Sequence, residues 1–446
     1  MKYAFPAGLY TDVRIEHVFA SSIDYNQREL RDCREKKYSA AFVRVFDGKM
    51  WYYASTSDLN GIQAEIDALA KLAAPNPQIL DNPIVKNLHP HKDVVMSFVG
   101  REISATDLNQ KAALLQRAMP HLEANEYINN WGVYYMDSNK TKEFYSSKGA
   151  ELVFDFQQCG FGAYFNMVSG EQQLREHFAK GGICFQDLGD FEADLLKTIA
   201  ECQDYMLNSE AVERGKYTVI FAPEATGIFT HECFGHKSEA DFMLGDEATR
   251  KEWALGKQVG SADLTICESG NIIGSGFTPY DDEGNKATMT HLVKNGILAG
   301  RLHNAETAAD LGEAVTGNAR AMNFEHEPIV RMTTTYIDKG NMTQDELIAS
   351  TPRGILMKTV THGSGASTFT IAPIRCYLVE DGKITKPVRV SVVTGNVFEA
   401  LGDIDAISDT VEMCPMVGGG CGKNNQMPLS VGFGGPYIRV NNMEVQ

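Results

Sequence analysis

The chain has 446 residues with 41 basic and 58 acidic side chains, a formal charge of −17 that repels phosphate backbones and anionic lipid and disfavours direct nucleic-acid binding. Hydrophobic residues at 43% and charged residues at 22% exclude wholesale disorder, and no run approaches the ~20 apolar residues that span a bilayer. The nine cysteines are scattered and odd in number, and the first eight residues lack the apolar core of a signal peptide, so a reducing, cytoplasmic location is expected.

In chain order, residues 12–17 alternate Val13 and Ile15 with polar side chains, the period of a half-buried strand. Residues 41–46 and 50–53 flank Asp47-Gly48, which predicts a hairpin closed by a type I′ turn. A helix capped by Ser57 follows, with Leu59, Ile62, Ile66, Leu69 and Leu72 at three- and four-residue steps. A second helix is expected over 104–124, opening near Ser104 or Thr106. Short alternating runs then cover 127–150, broken by Asp137-Ser-Asn139, and continue to 164. A third helix over 187–207 carries Phe191, Leu195, Ile199 and Tyr205.

From about Lys216 the texture changes. Residues 217–222 read as a buried strand ended by Pro223, and Thr230 is placed to cap a helix beginning at His231. Beyond it the chain is rich in glycine and turns, with short strands such as 388–393 and 437–440 and a short helix over 343–349. The fold class expected is α+β. A mixed helix and antiparallel-sheet N-terminal domain, 1–210, precedes a largely β C-terminal domain, 211–446, with the metal-binding helix at its start.

That helix carries the most informative segment, His231-Glu232-Cys233-Phe234-Gly235-His236. Eleven histidines in 446 residues place two at one chosen spacing about 0.27 times by chance, and an acid beside the first lowers this roughly eightfold. Imidazole nitrogens bind Zn²⁺, and a neighbouring carboxylate such as Glu232 can take a proton from water activated there. The spacing is unusual. An i, i+5 pair lies about 140° apart on an ideal α-helix, so the geometry requires a π-bulge or a helix distorted near Gly235. A catalytic zinc also needs a third ligand. Cys421, in Gly418-Gly-Gly-Cys-Gly-Lys423, is the candidate, because flanking glycines permit close backbone approach and thiolate binds zinc strongly. Cys233 is expected to point elsewhere, and histidines such as His17 and His177 read as ordinary surface or capping residues.

At these residues the sequence resembles the TldD/PmbA family, and specifically its TldD branch. The resemblance rests on residues 221–236 with Glu239-Ala-Asp241, Asp281-Asp-Glu-Gly284, Thr316-Gly-Asn318, residues 331–336, Pro352-Arg-Gly354, Cys421-Gly-Lys423 and Val431-Gly432. It implies a metallopeptidase acting on unfolded or flexible peptides, with zinc on His231, His236 and Cys421 and Glu232 as acid/base. It also implies a homodimer, or a heterodimer with a TldE/PmbA-like paralogue; members of the family are often labelled modulators of DNA gyrase, and the charge of −17 makes any such effect indirect. The alternative function is a non-catalytic, TldE-like peptide-binding or scaffold subunit. A protease for unfolded chains is further expected to offer an exposed strand edge beside the 231–236 helix.

Overall fold

The computed structural model describes residues 2–365 and 367–446. Its N-terminal half is built on one strongly hydrogen-bonded sheet. Strands β1 (Tyr10–Asn26), β2 (Glu29–Phe46) and β3 (Trp51–Thr56) form a meander with Tyr10 opposite Phe46 and Phe46 opposite Trp51, and helix α1 (Ile62–Ala70) follows. After β4 (Lys92–Val95) and α2 (Leu108–Glu123), a second meander of β5 (Ile128–Ser146), β6 (Glu151–Ser169) and β7 (Gln172–Gly182) leads into α3 (Glu192–Asn208). The sheet order is β3-β2-β1-β5-β6, with β4 and β7 both pairing with β6.

Alternation decides which face meets which partner. Along β1, Val13 and Ile15 pack on Ile62 and Ile66 of α1, while Phe19 and Ile23 join the core formed with Leu115 and Ile199 of α2 and α3. The other face carries Asp12, Arg14 and Glu16, and these are buried as well. It docks on the C-terminal half of the chain. Arg44 lies 2.7 Å from Asp12 and 3.1 Å from Glu283, and Arg14 donates to the carbonyls of Asn323 and His326. The alternation expected to mark a half-buried strand therefore separates an apolar core from a charged internal seam, not core from water.

Several local expectations are corrected. The β2–β3 connection is not a two-residue type I′ turn: only Gly48 has a positive φ, 98°, and Asp47 Oδ1 instead accepts from the N–H groups of Lys49 and Met50. Asp58, not Ser57, caps the helical segment that leads into α1, and Asp107 caps α2 through a capping box with Gln110. Asp137-Ser-Asn139 does not interrupt a strand. Asp137 is held 2.6 Å from the fully buried Lys111 and accepts from Ser21 and Tyr135, so its polar atoms are satisfied in mid-strand.

The C-terminal half contains a closed ring of strands. β8 (Gly215–Phe221), β12 (Arg353–Gly365), β13 (Thr368–Glu380), β14 (Val393–Asn396) and β18 (Ile438–Val445) pair around in the order β12-β8-β18-β14-β13 and back to β12. One parity of each strand, including Phe221, Ile355, Met357, Phe369, Ile371 and Val393, fills the main core. A second sheet contains β9 (Ile266–Ser269), β10 (Met289–Lys294), β11 (Thr334–Ile337) and β17 (Gly432–Gly435) in the order β10-β9-β11-β17. Helix α4 (Pro223–Ile228) lies between ring and second sheet: a Cβ at Gly227 would stand 2.6 Å from the Gly434 nitrogen. No helix among the described residues is long and apolar enough to cross a membrane.

Candidate metal centre

Pro223 follows the end of β8 at Phe221, as the sequence suggested, and also starts a helix. Its fixed φ suits the first helical position, and α4 runs directly into a π-helix, Phe229–Gly235. Thr230 is therefore inside the helix, where its hydroxyl donates to the Thr226 carbonyl, and is no cap. The π-helix answers the spacing problem: the His236 N–H bonds to the His231 carbonyl, so residues i and i+5 stand one turn apart. Their rings meet at 5.1 Å between centroids, inclined by 79°.

Apolar packing holds this unusual turn. Phe229 contacts Phe221 and Phe369 at centroid distances of 5.5 and 5.1 Å, and Phe234 contacts Trp253 at 4.9 Å. Such aromatic pairs contribute roughly 0.5–1.5 kcal/mol each beyond their buried area. Cys233 belongs to the same core, and its thiol pKa is pushed up by burial and by Glu232. Gly235 has ordinary helical dihedrals, φ −57° and ψ −49°, so it is not there for backbone freedom. A Cβ would lie 2.2 Å from the Met332 sulfur; space is the requirement.

Cys421 arrives from the far end of the sequence on β15 (Cys421–Lys423), which pairs with β16 (Gln426–Leu429). Gly420 permits this approach, since a Cβ there would stand 2.7 Å from Pro428. The Cys421 Sγ lies 3.4 Å from His236 Nε2, and one ligand atom from each of His231, His236 and Cys421 falls within 4.8 Å of the others. Two ligands of one tetrahedral zinc, with bonds of ~2.0–2.3 Å, stand roughly 3.5 Å apart, so the three atoms already have nearly the required spacing. His231 Nδ1 is buried and has no hydrogen-bond partner among the described residues. The Glu232 side chain, one-third exposed, places Oε2 3.9 Å from His236 Nε2.

The electrostatics suit a cation. Burial alone would raise the Cys421 pKa, but hydrogen bonds from His231 and His236 and their charge bring it down to about 5. Burial likewise opposes charge on His236, and Cys421 and Glu239 overcome it, lifting its pKa to about 10. A thiolate beside an imidazolium is the arrangement expected where a divalent ion would otherwise supply the positive charge. The N, N, S donor set is one that zinc accepts.

The supporting groups were not identified as functional from the sequence. Glu239 is fully buried, with Oε2 3.3 Å from His236 Nδ1 and 2.8 Å from Lys423 Nζ. Lys423 also donates to Asp241 at 2.7 Å and to the Val330 carbonyl at 2.9 Å, which occupies all three N–H bonds of its ammonium. Next to Val330, the wholly buried Arg331 donates to the carbonyls of Cys421 and Gln426. Lys423 and Arg331 thus fix the chain at and after the thiolate, while Glu239 sets the ring of His236. A signal was present in the sequence: Glu239 and Asp241 follow His236 closely, and Lys423 follows Cys421 in a glycine-rich segment.

Residues 214–446 match the PmbA/TldA metallopeptidase C-terminal domain, and residues 11–74 match domain 1 of the same group. A metalloprotease of Synechocystis sp. is 30% identical over 98% of this chain and 94% of its own. A zinc metalloprotease TldD homologue of Saccharolobus solfataricus is 27% identical over 98% and 96%. Among solved structures, a Thermotoga maritima protein described as a modulator of a DNA gyrase superposes with a TM-score of 0.79 at 19% identity, covering 98% of this chain and 96% of its own. TldE from Thermococcus kodakarensis gives 0.76 at 14% identity over 98% and 96%. At these identities the structural likeness concerns fold.

Proposed function

The chain belongs to the PmbA/TldD metallopeptidase family, and from that premise we propose that it is a zinc-dependent peptidase of the TldD branch. In this reading His231, His236 and Cys421 hold the zinc and Glu232 is the acid/base. The observation that carries it is the convergence of these three ligand atoms with the Glu232 carboxylate beside them. Zinc held by His231, His236 and Cys421 would supply Lewis acidity that makes a water nucleophilic near neutral pH. Glu232, on the open side of the π-helix, takes a proton at its carboxylate and delivers it to the departing amine. Glu239 keeps the His236 ring oriented through Nδ1.

The substrate we infer is an unfolded or flexible peptide. Among the described residues β8 pairs with β12 only at Ile355–Met357, and residues 361–365 continue past that ladder with β13 alone as their strand partner. This strip passes over the π-helix: Cβ atoms at Gly363 and Gly365 would lie 3.5 Å from Glu232 Cγ and 3.0 Å from Cys233 Cα. An extended peptide added to such an edge is read through its backbone, which a folded protein cannot present. The proposal includes the division into 1–210 and 211–446, a cytoplasmic location, and assembly with a second copy or a TldE/PmbA-like paralogue. The shared fold of the Thermococcus TldE supports that last point.

The test measures zinc content and the release of new amino termini from an unstructured polypeptide by the purified protein. Stoichiometric zinc and cleavage that disappear with Cys421→Ala are expected. A protein that cleaves equally well without zinc overturns the proposal.

A further inference from the structure

The seam between the two halves contains a cavity of about 250 Å³, apart from the metal centre. It exists because short side chains meet in register on the sheet. Ala20 lies opposite Ser138, and Gly160 lies opposite Met136 one step further on. The glycine-rich loop before Cys421 roofs the hollow, and Val417 packs so closely on Gly160 that a Cβ there would be 2.3 Å away.

The free groups lining this cavity are mostly donors. Lys140 Nζ sits 5.7 Å from the Phe156 ring centre and has no acceptor at hydrogen-bond distance among the described residues. Gln158 Oε1 and the Ser275 carbonyl both lie 2.7 Å from the Ser430 hydroxyl, and the Gln158 amide N–H groups have no acceptor among the described residues. The backbone N–H groups of Gly418 and Gly419 donate to no described acceptor, and Gly418 has φ of 73°, which favours a concave run of amides. Two nearby acids are already committed, Asp137 to Lys111 and Asp282 to Lys142 and Arg14, while Glu16 accepts from Tyr38 through Oε1 and its Oε2 has no partner among the described residues. Burial pushes the Lys140 pKa down; Glu16 and Asp282 offset part of this, and Lys142 and Arg320 add to it. A bound anion would relieve that repulsion.

We propose that this cavity is an anion subsite, where the Lys140 ammonium, the Gln158 amide and the Gly418 and Gly419 N–H groups hold a carboxylate or phosphate. Cys421 follows Gly418 by three residues, a span of at most about 11 Å, so the loop that carries a candidate ligand would be braced by the anion. The same span brings the terminal carboxylate of a bound peptide within reach, while free phosphate offers the same chemistry.

Calorimetric titration of metal-free protein with inorganic phosphate at low ionic strength tests the site without turnover. Its failure is therefore separable from failure of the peptidase reading. Saturable binding is expected, weakened at least tenfold in Lys140→Met and also in Gln158→Leu, and unchanged in Lys257→Met on the exposed surface. Circular dichroism identifies a variant that has lost its fold, in which case the other variant decides. Absence of binding to the wild type, or equal binding by both folded cavity variants, overturns the proposal. The source of the anion is read from the KM of one peptide with a free or amidated C-terminus. A carboxylate advantage that Lys140→Met erases assigns the site to substrate; no advantage, with phosphate binding intact, assigns it to a free anion.

Discussion

Replacing Glu239 with Gln tests whether a buried carboxylate behind His236 tunes the metal site. In the structure one oxygen of Glu239 serves two partners, His236 Nδ1 at 3.3 Å and Lys423 Nζ at 2.8 Å, while Oε1 has none. Burial disfavours the carboxylate, but His236 and Lys423 more than reverse this and hold its pKa below the ordinary value, so it is ionised at neutral pH. Glutamine preserves shape and one acceptor oxygen, which can take the place of Oε2, but removes the charge. The lysine retains Asp241 and the Val330 carbonyl, so the fold should persist. Loss of such a carboxylate behind a ligating histidine typically weakens metal binding ~10–100-fold, or about 1.4–2.7 kcal/mol. Competition for zinc against a chelator of known affinity measures the change, with thermal unfolding of the metal-free proteins as control. Zinc affinity within twofold of wild type, in a folded variant, would refute the role assigned to Glu239.

Glu232→Gln should retain zinc while turnover falls ~10²–10⁴-fold, whereas His231→Ala should lose metal and activity together; near-normal peptidase activity in zinc-loaded Glu232→Gln removes Glu232 from the mechanism. Gly235→Ala forces a methyl group against Met332 and should cost ~1–3 kcal/mol by chemical denaturation, with weakened zinc binding because His236 is the next residue. Unchanged stability there would show that Met332 moves aside freely. Burial would raise the Glu143 pKa, but Lys2, Tyr145 and His17 bring it to about 2, below the ordinary 4.5. The resulting stabilisation is present above pH 4.5 and lost as pH falls toward 2. Stability curves against pH should therefore lose part of their acid limb in Glu143→Gln, and superimposable curves would contradict that assignment.

Local chemistry made much of this protein legible in its sequence. The 231–236 spacing demanded a distorted helix because i and i+5 cannot share a face of an α-helix, and a π-helix is what forms. The apolar periods of α1 and α3 and the alternation in β1 located their core faces, since those periods belong to the backbone itself. The α+β class was anticipated, and Cys421 was named as third ligand from its glycine-rich flanks and again through the family resemblance; the fold brings its Sγ 3.4 Å from His236 Nε2. Tertiary structure decided the rest. That Asp12, Arg14 and Glu16 face a second half of the chain and not water depends on Asp282, Glu283 and Asn323, more than 230 residues away, which no local pattern encodes. Gly235 looked like a point of flexibility and is instead a point of contact, because Met332 occupies the space its Cβ would need. The roles of Glu239, Lys423 and Arg331 became visible only once the chain had brought residues 239, 330 and 423 together. A buried charge is tolerable only where its partners converge, and convergence is a property of the folded chain.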